Sequence, residues 1–252
     1  MKNDAEEYQK LVLFHESMVH KSRPESLRHW VQNKNGFEIG SPSPDTWGEL
    51  GVYDAAERID ITSCASNTLW GNDLLDGSPF RWKNQVKGIQ YIRDAVSLYN
   101  ISDNHYDFVC ASHVLEHITN PIKAILEWLR IMRGGAILLL ILPYEPKTFD
   151  HRRETVTLQH LRDDFINQTS EGDLSHLQEI LHLQDSDLDP PAGNLASFME
   201  RSRNNLENRG LHHHVYDQEL LYYIFHCLNL DVKLQVTWNI HQLIIGQKRQ
   251  GL

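Results

Sequence analysis

The chain has 252 residues, 40% of them hydrophobic and 23% charged, which suits one globular α/β core with room for an insertion. A formal net charge of −10 excludes a nucleic-acid backbone as the main partner, because neutralising phosphates needs a clustered basic face and the short basic clusters are only Arg152-Arg153 and Lys248-Arg249. No apolar run approaches the roughly 18 residues of a membrane span, and the three cysteines, Cys64, Cys110 and Cys227, are too scattered for a disulfide framework. The acidic start, Met1-Lys2-Asn3-Asp4-Ala5-Glu6-Glu7, lacks the basic-then-apolar layout of a signal peptide, so the expected location is the cytoplasm and the expected partner a small molecule.

Residues 5–32 place Tyr8, Leu11, Val12, Phe14, Met18 and Val19, then Leu27, Trp30 and Val31 after Pro24, at helical spacing, which predicts two N-terminal helices over residues 1–34. Gly36 to Gly40 reads as a first strand and turn, and residues 56–61 as a second strand. Between them Pro42, Pro44 and Gly48 forbid a long helix. Segment 63–86 is rich in Ser, Asn, Asp and Gly and is expected to be loop. Residues 87–93 form a third expected strand and 106–111 a fourth. A helix follows over 121–132 with Pro121 in its first turn, then Gly134-Gly135 and an apolar fifth strand over 136–142.

From 144 to 210 the pattern turns polar and helical, interrupted by Pro190-Pro191. This predicts a helical insertion after the fifth strand, at the sheet edge where ligands bind, and so a candidate lid. A helix near 217–228 and two β-rich runs, 231–238 and 241–247, close the chain as an antiparallel edge hairpin. The expected fold is α/β: a Rossmann-like, seven-stranded, mostly parallel sheet with helices on both faces, occupying residues 35–252.

The stretch Tyr106-Asp107-Phe108-Val109-Cys110-Ala111-Ser112-His113-Val114-Leu115-Glu116-His117-Ile118-Thr119-Asn120-Pro121, with Arg133-Gly134-Gly135 after it, resembles the second half of a class I S-adenosylmethionine (SAM)-dependent methyltransferase domain of the type 11 kind. That family's first strand ends in an acidic residue and a glycine-rich turn. Here the place reads Glu38-Ile39-Gly40-Ser41-Pro42-Ser43-Pro44, with prolines where later glycines belong, so a run of backbone N–H donors is lost. It is similar to a Gly-Pro-Ser variant of these proteins found with sugar and polysaccharide biosynthesis genes. The resemblance implies SAM as cofactor, held by Glu38, Gly40, Ser41, Ser43 and Ser112, with Asp60 on the ribose and Asp94-Ala95 beside the adenine. Asp60 also stands about 20 residues after the first turn, the spacing of a ribose-binding acid in dinucleotide folds.

Methyl transfer needs alignment and, for a protonated acceptor, a base. Among fifteen histidines, His113 and His117 are four apart on the loop after the fourth strand, and His151 follows Asp150, a pairing that would raise base strength. Arg152 and Arg153, with Asp150 and His213, are candidate substrate contacts, the arginines as clamps for a carboxylate or phosphate. The leading expectation is direct SN2 methylation of a small polar metabolite, a sugar or nucleotide sugar. Two alternatives stay open: a fold that has lost methyl transfer and serves as a binding scaffold, and a metal-dependent enzyme. For the second, His212 and His214, alternate residues of the triplet His212-His213-His214, would join Asp150 as metal ligands.

Overall fold

Apolar on both sides of its pleat, strand β7 (Met132–Pro143) lies inside the sheet, as its sequence requires. Leu138, Leu140 and Leu142 face one layer, and Ile137, Leu139 and Ile141 the other. This computed structural model describes residues 19–20 and 22–250. In chain order its strands are β1 (Val19–His20), β2 (Asn35–Ile39), β3 (Arg58–Ser63), β4 (Pro79–Trp82), β5 (Gln85–Ile92), β6 (Tyr106–Ser112), β7, β8 (Leu230–Trp238) and β9 (His241–Lys248). They form one sheet in the order β1-β8-β9-β7-β6-β2-β3-β5-β4. β9 and β4 run antiparallel to their neighbours, and every other strand is parallel to the set.

The expected seven strands are all present, and two short edge strands raise the count to nine. β4 falls in the segment expected to be loop. It pairs only with β5 through a turn in which Lys83 and Asn84 both take positive φ, the twist of a tight hairpin, without the usual glycine to advertise it. At the other edge Val19 and His20, read as helical, instead add to β8 beside Gln235 and Val236, where an unpaired strand offers backbone partners. The rest of the first N-terminal helix lies outside the described residues. Its successor is one turn, α1 (Arg28–Val31).

Helices cover both faces. On one, α3 (Pro121–Ile131) buries Ala124, Ile125 and Trp128, and α8 (Gln218–Cys227) buries Leu221, Ile224 and Phe225, against Phe37, Val109 and Leu138. Asn120 caps α3 by accepting from Lys123 N, and Asp217 caps α8 by accepting from Leu220 N. The other face packs α1, α2 (Val52–Ala55) and the Trp47 side chain on Phe108, Ile137 and Leu139. Between β7 and α8 lie α4 (Leu158–Asn167), α5 (Leu177–Leu183), α6 (Leu195–Arg203) and α7 (Asn205–Asn208), with a small core of Leu177, Ile180, Phe198 and Leu211. Among the described residues no helix is long and apolar enough to cross a membrane.

Candidate functional site

The carboxyl ends of β2, β3, β5 and β6 border a cavity of about 310 Å³, where an open parallel sheet receives ligands. The turn after β2 forms its floor. Gly40 has φ +96, and an added Cβ would stand 2.6 Å from Val114 Cγ2, so only glycine fits without displacing the loop after β6. Gly40→Ala is therefore expected to lower stability by about 1–3 kcal/mol, read by urea denaturation, since both the φ and the contact oppose it. Pro42 and Pro44 offer no N–H, and the Ser43 N–H is already donated to Glu38 Oε1 at 3.1 Å and Tyr53 Oη at 2.8 Å. The turn's hydroxyls take over as polar groups: Ser41 Oγ lies 3.2 Å from Ser63 Oγ, and both residues line the cavity.

Of the expected cofactor residues, Gly40, Ser41, Ser43, Asp94, Ala95 and Ser112 line this cavity. Glu38 lies behind it as the brace of the turn. Its carboxyl also accepts from Tyr53 Oη at 2.7 Å, and full burial pushes its pKa up to about 8 against those hydrogen bonds. Asp60 is a correction. β3 does not end there but continues through Ile61 and Thr62 to Ser63, so Asp60 sits mid-strand. Its carboxylate accepts from Arg58 Nε, Ile89 N and Tyr106 Oη and is used up there, while Ser63 and Cys64 stand at the strand end that lines the cavity. Thr62, a good strand residue, is the signal that could have moved the predicted strand end outward.

The insertion supplies residues that the sequence did not single out. Arg209 donates to Asp94 Oδ2 at 3.0 Å and pairs with Glu171 at 2.7 Å, and both line the cavity. Burial raises the pKa of Glu171 although Arg209 opposes it, and Thr119 N donates to its Oε1. Trp70, in the stretch expected to be loop, stacks edge-on against His117 with centroids 4.9 Å apart. Trp128 Nε1 donates to the Ala95 carbonyl, tying the adjoining loop to α3.

His113 and His117 line the cavity opposite, and behind them lies a cluster of further imidazoles and carboxylates. His113 holds φ +54, a left-handed conformation rare for a residue with a Cβ. Its Nε2 lies 2.8 Å from His241 Nδ1, and its Nδ1 lies 3.4 Å from Glu116 Oε1. Glu116 is 1% exposed and neither carboxylate oxygen has a hydrogen-bond partner. Burial would push it up, but the imidazoles of His113, His117 and His212 pull it below its ordinary value. His117 Nδ1 meets the Leu211 carbonyl at 3.0 Å, which leaves Nε2 as the lone-pair nitrogen. Burial first, and His212 second, depress its pKa to about 4.

Asp150 pairs with His212, not with its chain neighbour His151: its Oδ2 is 2.5 Å from His212 Nδ1. Burial would lower His212, but this carboxylate outweighs it and holds the imidazole above its ordinary value. The His212 and His117 rings lie 4.5 Å apart. His151 and Arg152 both pair with Asp185 on the surface, and neither lines the cavity. Arg153 is likewise no substrate clamp: it is 5% exposed, and its guanidinium donates to Glu179, Asp150 and the carbonyls of His212 and His213. His213 is buried against Asn205 Nδ2, and burial drives its pKa down to about 2. The expected metal set of Asp150, His212 and His214 does not form. The triplet runs outside the sheet ladders, so no two-residue repeat aligns its members, and His214 turns to Asp164 instead. Around and behind His117, the residues Glu116, His117 and His212 each offer a ligand atom within 4.8 Å of the others.

The methyltransferase-domain family profile matches residues 64–140. No curated protein matches the chain. Solved structures with a similar path include a SAM-dependent methyltransferase from Methanosarcina mazei (13% identity, 92% of this chain and 100% of that one, TM-score 0.49). Others are SAM-dependent methyltransferases from Thermotoga maritima (14%, 97% and 96%, 0.47) and Aquifex aeolicus (10%, 86% and 84%, 0.45).

Proposed function

We propose that this chain, whose residues 64–140 match a methyltransferase-domain family, is a class I SAM-dependent methyltransferase and that its acceptor is a hydroxyl of a small polar metabolite of the sugar class. The observation that carries this reading is the cavity itself: hydroxyls and the carboxylates of Asp45 and Asp94 on the strand-end side, Glu171 and Arg209 from the insertion, and the imidazoles of His113 and His117. A hydroxyl needs its proton removed as it attacks, and these imidazoles supply acceptors for it.

The polar groups fit the cofactor. Ser41, Ser43, Ser63 and Ser112 offer hydroxyls, Asp94 a carboxylate, and Gly40 the close backbone approach. Bound SAM supplies an electrophilic methyl group on a sulfonium sulfur. His117, with its Nδ1 turned to the Leu211 carbonyl, directs Nε2 as proton acceptor, and His212, held by Asp150, packs against its ring. Arg209, bridging Asp94 and Glu171, ties the insertion over the cavity as a lid that excludes water.

Calorimetric titration with SAM and S-adenosylhomocysteine tests the first half. Micromolar binding is expected, with Asp94→Asn weakening it by about 1–2 kcal/mol, roughly 5–30-fold, as the loss of a charged hydrogen-bond acceptor. No binding at high micromolar concentration would remove the reading. A labelled-methyl assay over free and nucleotide-linked sugars then tests the acceptor class, and transfer only to amines or thiols would overturn it.

A further inference from the structure

Beyond the cavity, three histidines from three segments between β7 and α8 converge, with Asp164 against two of them. His160 and Asp164 stand one turn apart on α4, His176 is the residue before α5, and His214 lies in the extended stretch leading to α8. His160 Nε2 is 3.1 Å from His176 Nε2 and 3.3 Å from Asp164 Oδ2, and His214 Nε2 is 3.1 Å from the same Asp164 oxygen. The three rings lie 4.9, 5.4 and 5.5 Å apart, centroid to centroid, and are tilted by 65–73° to one another. Each of the three histidines presents a ligand atom within 4.8 Å of the other two.

Those spacings have a chemical meaning. A tetrahedral zinc ion with metal–ligand distances of about 2.0–2.1 Å sets its ligand atoms roughly 3.3 Å from one another, the edge of the tetrahedron. Hydrogen bonding alone serves this arrangement poorly. The two Nε2 atoms of His160 and His176 must share one proton, while Asp164 Oδ2 draws on two imidazoles at once. His214 is 3% exposed, so the imidazole it brings to the cluster is shielded from water. An outer carboxylate is also in place, since Glu179 Oε2 lies 3.6 Å from His176 Nδ1 while its other oxygen accepts from Arg153.

We propose that His160, Asp164, His176 and His214 form a tetrahedral zinc site that staples the insertion. Three neutral imidazoles and one carboxylate suit a borderline-soft divalent ion and leave no position for water, which marks a closed, structural site. The ion joins α4, the entry to α5 and the stretch that begins at Leu211. That last segment carries His212, so the staple also sets the position of the imidazole behind His117. The site stands on its own residues and does not depend on the identity of the methyl acceptor.

Untagged protein purified without chelator is expected to carry one zinc per chain by plasma emission. Stripped of metal, it is expected to melt about 5 °C lower or more, and cobalt(II) added in its place should give the intense visible bands of a tetrahedral ion. The double variant His160→Gln, His176→Gln, at the two more exposed ligands, should retain no metal, while His182→Gln, an exposed histidine on α5, should retain it. Protein that neither carries zinc nor binds zinc or cobalt at micromolar concentration overturns the proposal. So does an octahedral cobalt spectrum, or metal that persists in the double variant and disappears in His212→Gln.

Discussion

Replacing His117 with Gln is expected to lower the methyl-transfer rate by about 10²–10⁴-fold, the usual contribution of a positioned base, with SAM affinity unchanged. The amide keeps a polar group beside Trp70 and the Leu211 carbonyl but has no basic nitrogen to offer. The wild-type pH profile carries the same assignment. A His117 with its pKa pushed down to about 4 is a neutral acceptor above that value and is silenced only as pH falls through it. The acid limb of kcat/KM for the wild type is therefore expected near pH 4, far below the ordinary histidine range. Rates and SAM binding measured for both proteins from pH 4 to 9 check this, and a His117→Gln enzyme of undiminished rate would rule out the role.

Glu38→Gln is expected to change the pH dependence of stability more than stability at any one pH. The folded-state pKa is raised to about 8 by burial, from an ordinary 4.5. Below 4.5 both states hold the proton and Glu38 contributes no pH dependence. As pH rises through the window from 4.5 to 8, the unfolded chain releases the proton and the folded chain keeps it. Wild-type stability should then fall by about 1.4 kcal/mol per pH unit from this group, on the order of 5 kcal/mol across the window. Glutamine has no proton to release, and its single amide oxygen retains an acceptor for one of the two donors, the Ser43 N–H or the Tyr53 hydroxyl. Urea denaturation at pH 5 and pH 8 should show the variant gaining on the wild type as pH rises. Parallel curves would mean that Glu38 titrates as an ordinary surface acid.

Both expectations concern groups whose types were visible early and whose partners were not. The Tyr106–Ser112 strand, α3 and the Gly134-Gly135 passage into β7 follow from a period of two, a proline at a helix start and an apolar run, all local signals. Gly40 and Asp94 were also legible, because a strand end and a turn residue fix where the backbone must open. Asp60 misled for the same local reason. Its spacing suited a ribose ligand, but hydrogen bonding to β5 carries β3 three residues further and gives its carboxylate to Arg58, Ile89 and Tyr106.

The histidines show the limit most clearly. Chain adjacency suggested Asp150 with His151 and aligned His212 with His214. The fold instead brings Asp150 to His212 across 62 positions, and sends His214 to Asp164 across 50. Arg153 offered the sequence a phosphate clamp and the structure a buried strut.

The sequence by itself determined the class of fold, the order of its central elements, and the end of the sheet at which a ligand can sit. These depend on hydrophobic period and backbone freedom, which are carried by neighbours along the chain. Only the tertiary structure decided which imidazole meets which carboxylate, which residue stands at the end of β3, and that Arg209 and Glu171 reach back over the cavity. Proton affinity and ligand geometry depend on burial and on through-space distances of about 3 Å, and residues far apart in the chain set both.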